Sequence, residues 1–306
     1  MKKVLRWCLA LLLVMMLAAC GSSETTNNTS EPKNNESTNV TTKEQSEKQE
    51  TTTAGQELIF EEFTPIDNDE CAITLKKLDP DDIFGYTVKA VLENKSSDIT
   101  YMFSVSTASV NGVEVDPLFA AEVAPGKKAN EDITILNTDL EENGIKDYTD
   151  IELMFRVYDT NDWNAQPVVD ESVHIYPYGE DKATTYVREQ KDSDQVLVDN
   201  DKVTVLIIDK VEDPIWGYTL KLFIVNKTDA EIMVSVDEAS VNGFMADPLF
   251  AKSVQGGKCT FASISWADYL LEENDITDIE NIEFKLKVYD YNNWKDYCDE
   301  AVTVTP

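Results

Sequence analysis

Hydrophobic and polar residues alternate along several segments, at the spacing that predicts β-strands with one buried face. The pattern is clearest in residues 151–158 and 282–289, where Ile, Leu, Phe or Val occupies every second position. Residues 86–93 and 218–225 are more uniformly apolar, as central strands tend to be. The chain therefore has the pattern of antiparallel sheets with one buried face and one solvent-exposed face.

Turn signals separate these strands. Asn-Gly at 111–112 and again at 242–243 lies between apolar flanks, which predicts two type I′ hairpins because both residues accept positive φ. Polar turns are predicted at 94–96 and 226–228. Only residues 139–143 and 267–274 have a helical pattern, so helices are expected as single short connections.

The chain repeats itself after about residue 66. The matching segments include Gly85-Tyr86-Thr87 with Gly217-Tyr218-Thr219, Ala108 to Gly112 with Ala239 to Gly243, Asp116 to Ala120 with Asp247 to Ala251, and Val157-Tyr158-Asp159 with Val288-Tyr289-Asp290. About seven strands per copy predict an all-β fold of two tandem antiparallel immunoglobulin-like β-sandwiches. The predicted domains are residues 56–178 and 196–306, joined by a linker at 179–195.

The N-terminus has the pattern of an export signal. A basic start precedes an apolar run from Trp7 to Leu17, which is shorter than a bilayer span. Leu17-Ala18-Ala19-Cys20 resembles the bacterial lipoprotein signal, or lipobox, in which cleavage exposes a cysteine that is lipidated. Residues 1–19 are thus predicted to be the signal peptide and Cys20 the lipid attachment site. The alternative is an ordinary signal peptide cut near Ala19.

Residues 20–55 are rich in Ser, Thr, Asn and Glu and have almost no aliphatic side chains. Such a segment buries too little apolar surface to offset the entropy cost of ordering, so we predict a disordered tether. Together with the lipid, it implies a protein held on the outer face of a bacterial cytoplasmic membrane, at the cell surface.

The order of motifs resembles the telokin-like, immunoglobulin-like domains of unknown function in lipoproteins of Gram-positive bacteria. The shared features are the Gly-Tyr opening, the Asn-Lys turn, the Val-Asn-Gly hairpin, the Pro-Gly-Lys-Lys turn at 125–128 and the closing Val-Tyr-Asp strand. The second copy departs at 255–258, where the proline is missing. The resemblance implies a fold and a surface location, and it offers no known active site to transfer to this chain.

Charge and composition narrow the function. The 26 basic and 58 acidic residues leave a net charge of −32, which argues against nucleic-acid binding. The single histidine, His174, is predicted to be an exposed strand residue, and no Ser-His-Asp set, nucleotide loop or paired CxxC motif is present. We therefore predict a protein that is not an enzyme and has no cofactor, apart from a candidate calcium site.

That calcium site rests on carboxylates, which are the ligands that Ca²⁺ prefers. The candidate ligands are Asp79, Asp81 and Asp82, with Asp159 and Asp162 as partners if both loops lie at the same end of the sandwich. Their spacing does not fit an EF-hand, and a solvated acidic turn is the alternative.

Aromatic residues at predicted strand ends are candidate ligand contacts. They are Tyr158, Trp163, Tyr289, Trp294, Phe84 and Trp216. They either plug the ends of the sandwiches or form a recognition patch for a protein or a glycan.

The cysteines of the exported chain suggest one bridge. Thiols outside the membrane tend to oxidise, and Cys259 and Cys298 lie in the same copy, so a disulfide between them is a hypothesis. Cys71 is predicted to be a buried strand residue.

These observations favour a non-catalytic surface lipoprotein that acts as a binding or interaction module, with the membrane and an unidentified extracellular protein or glycan as partners. The alternatives are the solute-binding lipoprotein of a transporter, an enzyme acting on wall polymers through paired carboxylates such as Asp159 and Asp290, and a plain spacer.

Overall fold

The structure is a computed structural model that describes residues 57–306, apart from Leu118, Asn137, Trp163 and Leu249. The predicted signal peptide, Cys20, the tether and Trp163 therefore lie outside the described residues. The described part is all-β, as predicted, with eighteen strands, two short α-helices and one 3₁₀ turn.

The strands of the first repeat are β1 (Phe63–Asp67), β2 (Cys71–Asp79), β3 (Tyr86–Asn94), β4 (Tyr101–Val110), β5 (Val113–Val115), β6 (Ala120–Val123), β7 (Lys128–Ile135), β8 (Ile151–Asp159) and β9 (Val169–Ile175). Those of the second repeat are β10 (Gln195–Asp199), β11 (Val203–Asp213), β12 (Gly217–Asn226), β13 (Ile232–Val241), β14 (Phe244–Met245), β15 (Ala251–Val254), β16 (Cys259–Trp266), β17 (Ile282–Asp290) and β18 (Asp296–Val304). The helices are α1 (Thr138–Glu142) and α2 (Asp268–Glu272), and the 3₁₀ turn is Glu180–Lys182. Nine strands per repeat exceed the predicted seven because strands as short as β5 and β6, of three and four residues, give little sequence signal.

Each repeat is a β-sandwich. In the first, the sheet β1-β2-β3-β7 packs against β4, β8 and β9, with β5 and β6 both paired to β4. The core between the sheets includes Leu75 and Val88 on one side and Phe103 and Phe155 on the other. The second repeat has the same pairing, with β10-β11-β12-β16 against β13, β17 and β18. This arrangement bears out the immunoglobulin-like sandwich that the alternation predicted.

The predicted hairpins and strands form where expected. Asn111 and Gly112 have φ of 52° and 81°, and Asn242 and Gly243 have 52° and 82°, as type I′ turns require. Along β8 and β17, residues facing the core alternate with partly or fully exposed ones. The first helix is shifted by one residue from its predicted segment, and the second lies inside its predicted segment.

The predicted turns after β3 and β12 are more than solvated loops, because the asparagine that begins each of them is buried. Asn94 Nδ2 donates to the carbonyl oxygens of Ile99 and Val123 at 2.8 and 2.7 Å. Asn226 repeats this role with Ala230 and Val254. Each asparagine thereby fastens the crossover from one sheet to the other and satisfies its own polar atoms.

The two repeats share one sheet. β16 of the second repeat pairs in parallel with β5 of the first, at Cys259 and Val113, and this joins eight strands in the order β10-β11-β12-β16-β5-β4-β8-β9. Leu206, Phe223 and Cys259 of the second repeat belong to the hydrophobic cluster of the first. We call this contact the junction.

The segment that connects the repeats packs into the junction. Tyr186 lies against Phe223 and Phe261, with ring centroids 6.2 and 6.1 Å away. Arg188 forms a two-pronged ion pair with Asp194 at 2.6 and 2.9 Å, and both side chains are buried. The connection is thus held by apolar contact and by a charge pair.

Candidate functional site

The turns that enter β3 and β12 project apolar side chains into solvent. Ile83 and Phe84 are 87% and 71% exposed, and Ile215 and Trp216 at the equivalent positions are 78% and 64% exposed. We call these two turns the hairpin tips. Exposed aliphatic and aromatic neighbours at the same place in both repeats are unlike the scattered surface residues that need no explanation.

Backbone geometry brings each hairpin tip close to a neighbouring strand. Gly85 and Gly217 have positive φ, and a Cβ on either would lie 2.3 Å from a backbone oxygen, that of Ile135 or Trp266. Only glycine fits so close an approach. The tips are therefore pressed against the ends of β7 and β16.

An aspartate caps each tip. Asp82 Oδ1 accepts the amide of Phe84 at 3.1 Å, and Asp213 Oδ1 accepts the amides of Ile215 and Trp216 at 2.8 and 2.9 Å. These two amides hold the pKa of Asp213 below its usual value. The apolar side chains are presented by a preorganised turn, which lowers the entropy cost of binding.

The other described candidate aromatics, Tyr158, Tyr289 and Trp294, lie at the opposite end of the fold. β3 starts at the hairpin tip and ends at Asn94, whose side chain donates a hydrogen bond to Val123. Val123 pairs with Tyr101, which in turn pairs with Asp159. Asp159 therefore lies at the end of the sandwich where β3 ends. A nine-residue strand spans about 30 Å. Tyr158 is therefore remote from Phe84, and the pairing Ile232 with Asp290 places Tyr289 equally far from Trp216.

At that end the rings partly cover one another. Tyr289 and Trp294 stack with centroids 5.2 Å apart and an interplanar angle of 13°. In the first repeat, the guanidinium of Arg156 lies 5.8 Å from the centre of the Tyr158 ring. The five candidate aromatics that the structure describes therefore form no single patch.

The same topology corrects the expectation for calcium. Asp79, Asp81 and Asp82 lie at the tip end and Asp159 and Asp162 at the far end, so the prediction that both loops share one end is wrong. Among the described residues, no three His, Cys, Asp or Glu side chains come together as metal ligands. Asp159 Oδ1 instead accepts the amide of Asn161 at 2.8 Å.

The disulfide hypothesis is also wrong. The three described cysteines are free and buried. Cys259 packs at the junction with its Sγ 3.7 Å from the oxygen of Gly112, whereas Cys298 belongs to the core of the second repeat. Burial raises the pKa of Cys71, Cys259 and Cys298 to about 11, 12 and 11, so all three stay protonated.

The residues considered for catalysis have structural partners. His174 is partly exposed on β9, and its Nδ1 lies 2.8 Å from Asp150. Asp290 is buried and accepts hydrogen bonds from the amides of Asn292 and Asn293 and from the hydroxyl of Tyr297. Burial would raise the pKa of Asp290, but these bonds outweigh it and hold the pKa below its usual value.

The junction contains a polar cavity that sequence reasoning missed. It has a volume of about 220 Å³ and is lined in part by Glu114, Glu152, Gln255 and Lys258. Glu114 Oε1 accepts the amide of Gln255 at 2.6 Å, and Lys258 forms an ion pair with Glu152. Burial raises the pKa of Glu114 to about 7, although the Gln255 amide opposes it. The one available signal was that the second repeat has Met245 where the first has Glu114.

No helix in the described part of the chain has the length and apolar character of a bilayer crossing. No family model matches the sequence, and no curated protein matches it. Among solved structures, the chain is similar to a protein of unknown function from Porphyromonas gingivalis W83, at 8% identity and a TM-score of 0.20, over 81% of this chain and 100% of that one.

Proposed function

We propose that this protein is a non-catalytic surface lipoprotein that binds an extracellular protein through its hairpin tips. The observation that carries the proposal is the duplicated display of an exposed isoleucine and an exposed aromatic ring at each tip, beside a closely packed glycine. Aromatic anchors beside aliphatic side chains suit an apolar pocket on a protein partner. Two tips on one chain also allow bivalent engagement, which multiplies weak affinities.

The acidic setting of the tips adds selectivity. Asp81 and Asp82 precede Ile83, and Glu212 and Asp213 precede Ile215. Carboxylates beside an apolar anchor disfavour anionic lipid surfaces and favour partners with basic rims. The partner that suits the tips is therefore a protein with an apolar pocket and a basic rim.

Ser substitutions at Phe84 and Trp216 should separate binding from folding. Because both rings are exposed, each substitution should change the free energy of unfolding by no more than about 0.5 kcal/mol. Binding should weaken in each single variant and disappear in the double variant. The measurement is photo-crosslinking on intact cells from a probe amino acid at position 215, scored as one adduct of discrete mass.

The matched control is Trp294→Ser, which removes an exposed ring of the same type at the opposite end of the second repeat. It should leave the adduct unchanged. Loss of the adduct in this control, or its persistence in the double tip variant, would contradict the assignment of binding to the tips.

The membrane attachment rests on Cys20, which lies outside the described residues. Acyl chains contribute about 0.8 kcal/mol per buried CH₂, so a multiply acylated cysteine anchors a protein stably. Cys20→Ser should abolish incorporation of labelled palmitate and shift the protein from the membrane fraction to the medium. A variant that stays membrane-bound without label would refute the lipid anchor.

A further inference from the structure

The junction joins two different strand edges, one from each repeat. Because the repeats are alike, the chain has a second copy of each edge. The first repeat contributes β5 and the second contributes β16. The equivalents of these strands are β14 in the second repeat and β7 in the first, and each is an unpaired edge of its sheet in the described fold. Such a contact between unlike surfaces can continue from molecule to molecule.

The free β14 edge is more apolar than its counterpart in the junction. Val113 is 1% exposed beneath the second repeat, whereas Phe244 at the equivalent position is 51% exposed. Met245, also exposed, takes the place of Glu114. In the junction Glu114 faces Gln255 and Gly256. The equivalents of these two residues in the first repeat are Ala124 and Pro125. In a contact between the two free edges, Met245 would therefore face apolar residues.

The free edges also keep the charge pair of the junction. Lys258 pairs with Glu152 across the junction. Their equivalents, Lys127 and Glu283, are both exposed, and neither has an ion-pair partner among the described residues.

The backbone register is conserved as well. Cys259 donates its amide to the Gly112 oxygen at 3.1 Å. Lys128 is the equivalent of Cys259, and it pairs with Glu93 of β3 as Cys259 pairs with Val225 of β12. The amide of Lys128 therefore points away from β3, toward the free edge. The acceptor on the second molecule would be the Gly243 oxygen.

We propose that a second copy of this chain docks its β7 edge on the β14 edge, so that molecules assemble head to tail. The contact would be weaker than the junction, because Asn130 replaces Phe261 and no linker residue such as Tyr186 fills the space beside it. We expect a dissociation constant of about 10–100 μM, and tethering on one membrane would favour the contact further.

The test is sedimentation velocity of residues 21–306, which retain the whole described fold. The weight-average sedimentation coefficient of the wild type should rise with concentration. Lys127→Glu and Glu283→Lys each place like charges in the contact, so each variant alone should associate at least about tenfold more weakly. An equimolar mixture of the two variants should associate again, because each mixed contact regains one lysine and one glutamate.

Phe244→Ser should also prevent association, whereas Phe84→Ser at the tip serves as the matched control and should not. A wild type that stays monomeric at about ten times the expected dissociation constant would overturn the proposal. So would association that neither charge reversal weakens, or a mixture that fails to recover it. The tip experiments are unaffected by these outcomes, so the two proposals can fail separately.

Discussion

Replacing Asp194 with alanine is expected to destabilise the protein by about 3 kcal/mol or more, because it leaves the Arg188 guanidinium buried without a counter-charge. The Arg188 guanidinium holds the pKa of the Asp194 carboxyl below its usual value, and the Lys191 amide adds a further hydrogen bond at 2.7 Å. The pair also fixes the linker, since Arg188 lies 5.9 Å from the centre of the Phe223 ring.

Two measurements check this expectation. Urea unfolding should show the lost stability, and thermolysin should cleave faster beside Val187, an exposed residue of the same segment. Cleavage reports the release of the linker directly, whereas urea unfolding reports the stability of the whole fold. Arg188→Leu combined with Asp194→Ala should cost less than Asp194→Ala alone, since no buried charge is then unpaired.

The control is Asp201→Ala, which removes an exposed ion pair with Lys202. Surface pairs contribute little, so its urea midpoint should stay at the wild-type value. If Asp194→Ala behaves like this control, the ion pair does not hold the linker.

Local patterns were enough to predict most of the fold. Alternation in β8 and β17 and the Asn-Gly pairs at 111–112 and 242–243 act within a few residues, so the sequence specifies them without knowledge of the tertiary structure. The self-similarity of the chain then implied two sandwiches of one kind.

Contacts between distant segments could not be predicted in this way. Glu114 and Gln255 are bonded across 141 positions, and nothing local distinguishes that glutamate from a solvated one. The assignment of Asp159 to the tip end failed for the same reason, since strand order decides which loops share an end. Phe84 and Trp216 were identified, but their isoleucine neighbours became visible only when exposure was known.

Glu114 should make the stability of the protein fall as the pH rises. Its ordinary pKa is 4.5, and burial raises the folded-state pKa to about 7. Below pH 4.5 the carboxyl is protonated in both states and carries no penalty. Between the two values the unfolded chain ionises first, so the free energy of unfolding declines, by about 3 kcal/mol once the pH exceeds 7.

Glu114→Gln keeps an oxygen that can accept the Gln255 amide but cannot ionise. Its stability should equal that of the wild type near pH 4 and exceed it by up to about 3 kcal/mol at pH 8. Urea unfolding of both proteins across this range measures the difference, with Glu122→Gln on exposed strand β6 as the control for simple charge removal. Parallel pH profiles for wild type and Glu114→Gln would refute the assignment. A difference confined to Glu114 would make the junction, rather than either core, the pH-sensitive element, because that carboxyl bridges the two repeats.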